Sequence, residues 1–464
     1  MLKLEHMTEL KTTALVLLIV GAIDSIRNLP ATALFGSSLI FFFIFAAVVF
    51  LVPTALVSAQ LSSTNTDKSG IYHWVDSAFG PKMAFFSVWL QWINTMVWFP
   101  TILSFIAGTL TYLFDPNLAQ NKTYLISIIL TLFWTMTFIN LKGVHTSAKF
   151  ANFCALVGMV MPMLFIIVMA AVWVALGMPL QIHFTIASLV PSLSHSENWI
   201  SLTAIMTSFL GIELAMVHIK EVHQPQTTFP KALGISIVLI LMTMILGSLA
   251  IALILPKNEI NLVNGVMQAF TNLFAVYHMT WLLPIMTMML LMGSLGGITS
   301  WIISPAKGLL QAAQSGYLPK WFAYENQHGV ASYLLMTQAG LVTLVCLAFL
   351  FMPSVNGSYW LLSALSTQLY MLMYVILFMA AICLKQKSPA QSAAFTIPGG
   401  KMGTWFVCIV GLMGCAITLM VGFIPPDGIN VGGIVHYEMI FSGGIAVMIA
   451  PVILFMNNFL RETA

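Results

Sequence analysis

The chain has 464 residues, of which 59% are hydrophobic and only 7% carry a charged side chain. Soluble domains average about 25% charged residues, so this composition excludes an ordinary soluble protein and predicts one that is embedded in a lipid bilayer. The net charge of +3 is small and gives no reason to expect a nucleic-acid partner.

Twelve apolar segments are long enough to cross a hydrocarbon layer about 30 Å thick, which takes about 20 helical residues. The first follows a short charged head, "MLKLEHMTELK", that has no small-residue cleavage site, so we do not expect a cleaved signal peptide. The segments lie near 12–34, 36–61, 82–114, 122–141, 150–177, 198–219, 232–255, 279–314, 332–352, 359–384, 404–424 and 439–460. The sequence therefore predicts an all-α polytopic membrane protein with about twelve transmembrane helices.

The basic residues between these segments lie almost entirely on one side of the predicted membrane. With both termini in the cytoplasm, fourteen of the seventeen Lys and Arg residues face the cytoplasm. Lys122 and Lys257 face the outside, and Arg27 lies within the first segment. Because cytoplasmic loops are enriched in Lys and Arg, this distribution predicts cytoplasmic termini.

Two charges and a proline interrupt the first segment, in "LIVGAIDSIRNLP" (residues 18–30). Asp24 and Arg27 lie three residues apart and are closely followed by Pro30. A charge inside a bilayer is costly, so an ionisable residue there indicates a functional site by default. Residues three apart share a face of a helix, and an Asp24–Arg27 ion pair would cost less than two lone charges.

The sixth segment, "TSFLGIELAMVHIKEVHQP" (207–225), has a similar interruption at Leu210-Gly-Ile-Glu213. A separation of five segments is typical of transporters with two inverted halves, in which one helix of each half is broken near the midplane. We therefore predict a single membrane domain over residues 1–464, with repeat one at about 12–177, repeat two at about 198–384 and two added helices at about 404–460.

The two interruptions suit a substrate that carries one negative and one positive charge. A broken helix exposes unpaired N–H groups, which attract a carboxylate, and unpaired C=O groups, which attract an ammonium group. An α-amino acid carries both groups. Glycines also let helices pack closely in membranes, and for either interruption taken alone this structural interpretation stays open.

Several motifs resemble those of a known transporter superfamily. The stretches "LSSTNTDKSGIYHWVDSAFGP" (61–81), "SFLGIELA" (208–215) and "GYLPKWFA" (316–323) look like the amino acid–polyamine–organocation (APC) superfamily. The stretches "PKNEINLVNGVMQAF" (256–270), "ITSWIISPAKGL" (298–309), "FTIPGGK" (395–401) and "FIPPDGIN" (423–430) closely resemble its bacterial glutamate/γ-aminobutyrate antiporters. The resemblance runs from about Lys11 to about Met456, but its motifs are not specific for the substrate.

This resemblance implies a LeuT-like five-plus-five inverted repeat that works by alternating access, in a bacterial inner membrane. The backbone around Asp24 would hold the substrate carboxylate, and carbonyls of both interruptions would take the amine. The implied substrate-binding residues are Gly21, Ala22, Ile23, Asp24, Ser25, Ile26, Thr207, Leu210, Trp301, Tyr370 and Tyr374. The residues implied for gating or proton coupling are Arg27 and Glu213.

Asp24 departs from the family pattern, which usually has a small or neutral residue at this position. A carboxylate there would repel a substrate carboxylate unless it is protonated, paired with Arg27 or turned toward the amine. A static Asp24–Arg27 pair and a switchable one both agree with the sequence. The resemblance therefore predicts an amino acid antiporter and leaves the substrate pair open.

No catalytic or metal-binding pattern accompanies these segments. The five cysteines have no CxxC spacing, the histidines form no HxxxH pair, and no Ser–His, Asp–Asp or HExxH arrangement lies within a segment. We therefore expect no enzyme, no metal and no cofactor. The expected partners are an amino acid substrate and the lipid bilayer, and a homodimer is left open.

Sodium-independent exchange is favoured, because the fifth segment contains no Lys, Asp or Glu over residues 153–176. Asp24 and Glu213 are candidate proton carriers, since a carboxyl group removed from water holds a proton more readily. A proton-coupled uptake permease for amino acids or amines is the main alternative function. A channel and a receptor without transport activity are two further alternatives.

Overall fold

The computed structural model describes residues 11–64, 70–143, 153–191, 199–216, 222, 224–387 and 395–462. These residues form helices joined by turns, and no β-strand occurs among them. The α-helices are α1 (Thr12–Ile23), α2 (Leu29–Ala33), α3 (Leu39–Ala46), α4 (Val52–Thr64), α5 (Ile71–Phe79), α6 (Pro81–Leu110), α7 (Lys122–Leu141), α8 (Met161–Ala175), α9 (Ile186–Leu189), α10 (Ser201–Phe209), α11 (Ile212–Met216), α12 (Pro225–Ile254), α13 (Gly265–Val276), α14 (Leu283–Gln314), α15 (Ser332–Cys346), α16 (Ala348–Phe351), α17 (Val355–Lys387), α18 (Gly400–Val421) and α19 (Ile434–Glu462).

Within the described ranges, ten helical segments are long and apolar enough to cross a membrane. They are Thr12–Ala33, Gly36–Ser63, Pro81–Leu113, Lys122–Leu141, Phe153–Ala175, Gln226–Ile254, Ser332–Phe351, Val355–Lys387, Gly400–Val421 and Ile434–Met456. They coincide with ten of the twelve predicted segments. The other two correspond to shorter apolar stretches, Ser201–Leu214 and Thr280–Gly296, of which the second continues into the 32-residue α14. The predicted all-α polytopic membrane fold is confirmed.

The first membrane segment is broken where the sequence predicts it. Helix α1 ends at Ile23, and the backbone of Asp24 (φ −67°, ψ 128°) and Ser25 (φ −152°, ψ 113°) is extended. The chain then resumes with a 3-10 turn at Ile26–Asn28 and with α2. Pro30 lies in the first turn of α2, where its missing N–H leaves no hydrogen bond unmade.

The sixth membrane segment is broken in a similar way. Helix α10 ends at Phe209, Leu210 is extended (φ −68°, ψ 141°), and Gly211 has a positive φ of 98° before α11 begins. A side chain at such a φ is strained, so glycine suits this position. The last carbonyls of α10 therefore lack partners within their own helix.

The two breaks are brought together by helix packing. Helix α1 packs against α11 and α12, and the 3-10 turn that follows the first break packs against α10. Helix α17 packs against α10, and α6 packs against α17. Because lipid tails are as apolar as helix surfaces, such packing rests on close van der Waals contact and on hydrogen bonds between helices.

One such close contact joins the fifth segment to α14. The fifth segment has a π-helical turn at Leu156–Val160, and this turn lies against α14. A Cβ atom on Gly158 would lie 2.2 Å from the Cα and N atoms of Gly293, which no real side chain can tolerate. Glycine is therefore required at this contact, and its backbone-to-backbone packing places both segments beside the first break.

Candidate functional site

A cavity of about 210 Å³ lies between the two breaks. Residues of both breaks line it together with side chains of α6, of α14 and of the π-helical turn. The lining residues are Gly21, Ala22, Ile23, Asp24, Ser25, Ile26, Arg27, Asn28, Asn94, Thr95, Trp98, Ile102, Phe105, Ala155, Gly158, Met159, Thr207, Ser208, Leu210, Gly211, Gly293, Ser294 and Tyr370. This volume lies below the usual range for drug-sized sites, about 300–1,000 Å³, so the cavity suits a small ligand.

Most of the predicted site residues lie in this lining. The first break contributes all six predicted substrate-binding residues from Gly21 to Ile26, and also Arg27. Thr207 and Leu210 of the second break and Tyr370 of α17 complete the set that the structure brings together. Trp301 belongs to α14, but its side chain lies outside the described residues.

Glu213 and Tyr374 lie directly behind the cavity wall, in a hydrogen-bonded cluster with Tyr370. The Tyr370 hydroxyl donates to Oε1 of Glu213 at 2.6 Å, and the Tyr374 hydroxyl donates to Oε2. The amide of Gln91 donates to the same Oε1 at 3.4 Å and to the Tyr370 oxygen at 3.3 Å. Glu213, Tyr370 and Tyr374 are all buried.

Donor and acceptor roles within this cluster are fixed by its surroundings. The backbone N–H of Gly211 donates to the Tyr374 oxygen at 2.9 Å, so the hydroxyl hydrogen of Tyr374 is left for Glu213. A carboxylate accepts hydrogen bonds and donates none, and here Glu213 receives one from each of three side chains. Adding a proton to Glu213 would turn one oxygen into a donor and break one of these bonds. The cluster thus connects the charge of Glu213 to the second break.

Asp24 and Arg27 do not form the ion pair that their spacing in the sequence makes available. Arg27 donates from Nε to the Ser25 hydroxyl at 3.3 Å and from Nη1 to the Thr101 hydroxyl at 3.5 Å. Its guanidinium carbon lies 4.6 Å above the ring of Trp98. The prediction assumed a continuous helix, in which residues three apart share a face, but α1 ends at Ile23 and the extended backbone turns Arg27 toward α6.

The carboxyl group of Asp24 lies apart from this arginine. Its polar neighbours are the Thr243 hydroxyl of α12 and the backbone N–H of Ser25. Its Oδ1 atom is buried and has no hydrogen-bond partner among the described residues. A buried acceptor left without a donor costs about 1–3 kcal/mol, which makes Oδ1 a place where a ligand donor would be favourable.

Sequence reasoning missed the contribution of α6. Asn94, Thr95 and Trp98 line the cavity, and Asn94 also accepts a hydrogen bond from Ser366 of α17. A signal was present, because "QWINTMVW" (91–98) carries three polar side chains inside an otherwise apolar segment. Polar residues in a membrane span usually face the protein interior, and this rule alone would have selected them.

The site as a whole offers binding groups. It combines backbone groups of two broken helices with one guanidinium, one carboxyl and several hydroxyl and amide side chains. In the part of the chain that the structure describes, no cluster of three or more His, Cys, Asp or Glu residues could hold a metal ion. A polar cavity between two broken helices, inside a bundle of membrane-spanning helices, defines a membrane transport protein.

Comparison with known proteins identifies the family. A family model described as amino acid permease matches residues 10–451, and the chain belongs to this family. It is therefore a transporter and not an enzyme, and the predicted membership of the APC superfamily is confirmed.

Three similar proteins cover most of the chain. An uncharacterized transporter from Legionella pneumophila is 39% identical over 440 residues, which make up 95% of each protein. A glutamate/gamma-aminobutyrate antiporter from Lactococcus lactis is 28% identical over 422 residues, or 90% of this chain and 84% of that protein. A probable agmatine/putrescine antiporter from Lactococcus lactis is 24% identical over 372 residues, or 80% of this chain and 78% of that protein.

Proposed function

We propose that this transporter is an amino acid antiporter, which exchanges an amino acid for a related amino acid or its decarboxylated amine. It works by alternating access on a LeuT-like scaffold of two inverted five-helix repeats with two added helices. Its place is the bacterial inner membrane, with both termini in the cytoplasm. The lysine and arginine distribution supports this orientation, and the names of the antiporter relatives support exchange.

The observation that carries this proposal is the meeting of two helix breaks at one small cavity. Both breaks lie on membrane segments that the five-plus-five arrangement makes equivalent, and both line the same space. Backbone groups freed by a break would be unsatisfied in lipid, so such breaks persist only where a cavity or ligand satisfies them. Two breaks offer donors and acceptors together, which matches an amino acid.

In this proposal, individual groups have the roles that the family resemblance implies, and the composition of the cavity lining supports them. The extended backbone from Asp24 to Ile26 takes the substrate carboxylate, and the carbonyls of Gly21, Thr207 and Leu210 face its amine. Tyr370 of α17 closes one side of the cavity. Trp301, on the helix α14 that also contributes Gly293 and Ser294 to the lining, is assigned to the substrate by the family resemblance. Glu213 and Tyr374 connect the second break to α17 and serve the gate.

Proton-coupled uptake is the second candidate function. The buried cluster of Glu213, Tyr370 and Tyr374 favours it, because protonation of the carboxylate would break a hydrogen bond at the start of the half-helix that follows the second break. Uptake of this kind would couple substrate entry to that proton. An antiporter uses the same cluster only to set the pH dependence of its gate.

Counterflow in reconstituted vesicles distinguishes these functions. Vesicles loaded with one unlabelled amino acid are diluted into the labelled form, and the panel includes amino acids and their decarboxylated amines. An antiporter accumulates label only when substrate is present on both sides. Uptake into empty vesicles that is driven by an inward proton gradient would identify a proton-coupled permease. Label entry that follows its own gradient without exchange would identify a channel, and no entry of any kind a receptor.

A further inference from the structure

Arg27 is a buried cation that has no anionic partner within the described residues. It is 8% exposed and contacts the Ser25 hydroxyl, the Thr101 hydroxyl and the face of Trp98. The buried Tyr359 also interacts with its charge, but tyrosine is neutral at ordinary pH and supplies no counter-charge. Arginine stays protonated in proteins, and a buried charge is costly unless a counter-charge and hydrogen bonds compensate it. Its planar fork of N–H donors matches the two oxygens of a carboxylate.

Asp24, in the same cavity, is an acidic residue with a carboxyl oxygen that lacks a hydrogen-bond donor. Its buried Oδ1 lacks a donor, although the residue follows directly on the carbonyl end of the 12-residue helix α1. A negative charge at that end opposes the helix dipole, so the position of Asp24 is unfavourable for folding. A cation placed beside Asp24 would compensate the carboxyl charge and the α1 carbonyls together.

We propose that Arg27 binds the carboxylate of the transported substrate in addition to the backbone of the first break, and that Asp24 binds its ammonium group in addition to the backbone carbonyls. The inference rests on the proposed function and gives it a substrate class: small amino acids with one carboxylate and one ammonium group. A simple amine would leave Arg27 uncompensated. A dicarboxylic acid without an amine would place a like charge beside Asp24.

The separation of the two residues supports this assignment. If Asp24 and Arg27 bonded to each other, each would compensate the other and the cavity would have no charge preference. The structure instead directs Arg27 to α6 and places Asp24 beside Thr243 of α12. Both still line the one cavity of about 210 Å³, which is small enough for a single ligand to contact the two.

The proposal is tested with amino acids and with analogues that lack either the carboxylate or the ammonium charge. Purified full-length protein is titrated with L-alanine, L-leucine, L-phenylalanine and γ-aminobutyrate, each with its carboxamide and its deaminated acid, and apparent affinities are taken from ligand-dependent thermal stabilisation. Wild type should prefer each bound amino acid over its carboxamide by about 10-fold or more, as expected for a charge-assisted hydrogen bond. Arg27→Gln should remove this preference, and Arg27→Lys should keep most of it.

Asp24→Asn should remove the preference for the amino acid over its deaminated acid and leave the carboxamide ratio unchanged. Lys257→Gln and Asp427→Asn are matched controls, since each removes one equivalent charge at an exposed position outside the cavity, and both ratios should stay at wild-type values. If Arg27→Gln does not fold, the double variant Asp24→Asn/Arg27→Gln leaves no lone buried charge and should lose both preferences.

Three results would overturn the assignment. The first is a wild type that does not distinguish amino acids from their carboxamides. The second is an Arg27→Gln variant that weakens the amino acid and its carboxamide by the same factor, and the third is an Asp24→Asn variant that weakens the amino acid and its deaminated acid by the same factor. Failure of the proposed function has a different signature, because wild type would then exchange no amino acid in the counterflow panel. In that case the substrate assignment fails with it.

Discussion

Tyr370 of α17 donates a hydrogen bond of 2.6 Å to Oε1 of Glu213, the first acidic residue after the second helix break. The bond connects the long, continuous helix α17 to the half-helix that begins at Ile212. Together with the hydrogen bond from Tyr374, this bond holds the start of the half-helix against α17. The charge of Glu213 is thereby coupled to the geometry of the cavity.

Glu213→Gln should flatten the pH dependence of transport. Glutamine keeps the shape of the side chain but cannot bind or release a proton. Its amide N–H group would also point a hydrogen-bond donor at a tyrosine hydroxyl that now donates to Glu213. Exchange rates are measured from about pH 5 to about pH 8 in reconstituted vesicles. Glu325→Gln, at an exposed position, is the control and should keep the wild-type profile. An unchanged profile in Glu213→Gln would assign the titrating group elsewhere, with Asp24 as the next candidate.

Tyr374→Phe should destabilise the second break. The substitution removes the donor to Glu213 and the acceptor for the Gly211 N–H, so two buried groups lose a partner. Each such group costs about 1–3 kcal/mol, which should lower the thermal unfolding temperature of the purified protein measurably. Tyr333→Phe is a matched control, because Tyr333 is half exposed and its described contacts are to aromatic rings. Equal unfolding temperatures for the two variants would contradict the structural role of Tyr374.

Both helix breaks could be predicted from the sequence, because charges, glycines and a proline are conspicuous inside an apolar segment. The Asp24–Arg27 pair that the spacing makes available is not formed, because the spacing rule describes an intact helix and the break removes that helix. The contribution of Asn94 and Thr95 was missed because local sequence does not show which neighbour a polar face meets. Only the position of α6 beside the cavity, where it contacts Arg27 through Thr101 and Trp98, decides that.

The close contact between Gly158 and Gly293 could not be predicted either. Both residues lie in glycine-containing apolar segments that are far apart in sequence, and many glycines of this chain have open space around them. The π-helical turn that carries Gly158 has no sequence signature of its own. Tertiary packing alone identifies which glycines are required.

Gly293→Ala should destabilise the protein more than alanine at an unconstrained glycine. Its Cβ would lie 2.6 Å from the Cα and C atoms of Gly158, and neither backbone can move without shifting a whole segment. Overpacking of this kind costs about 1–3 kcal/mol. Gly340→Ala is the control, since no atom lies within 4 Å of its added Cβ. Thermal unfolding of both purified variants decides the point, and a Gly293→Ala protein as stable as Gly340→Ala would refute the contact.

Trp301→Ala should sharply lower exchange and leave the protein folded in membranes. The sequence resemblance places Trp301 beside the substrate, and an aromatic that closes over the substrate contributes to the occluded state that alternating access requires. Trp281→Ala is a suitable control, because Trp281 is 66% exposed in the 3-10 turn before α14. Counterflow rates are compared after normalisation to the amount of folded protein. Near-normal kinetics in Trp301→Ala would exclude this role.

Gly211→Ala should impair transport through the backbone of the second break. Gly211 has φ of 98°, and its N–H holds the Tyr374 hydroxyl that in turn donates to Glu213. A residue with a Cβ atom is disfavoured at positive φ by about 1–2 kcal/mol, so the break should shift toward a helical geometry that releases Tyr374. Both the unfolding temperature and the exchange rate should therefore fall. Gly234→Ala on α12 provides the comparison, because it adds the same methyl group in open space and at an ordinary helical backbone. A Gly211→Ala protein that matches Gly234→Ala in both measurements would show that transport does not require the positive φ at Gly211. The link between the cavity and the Glu213 cluster would then also not be required.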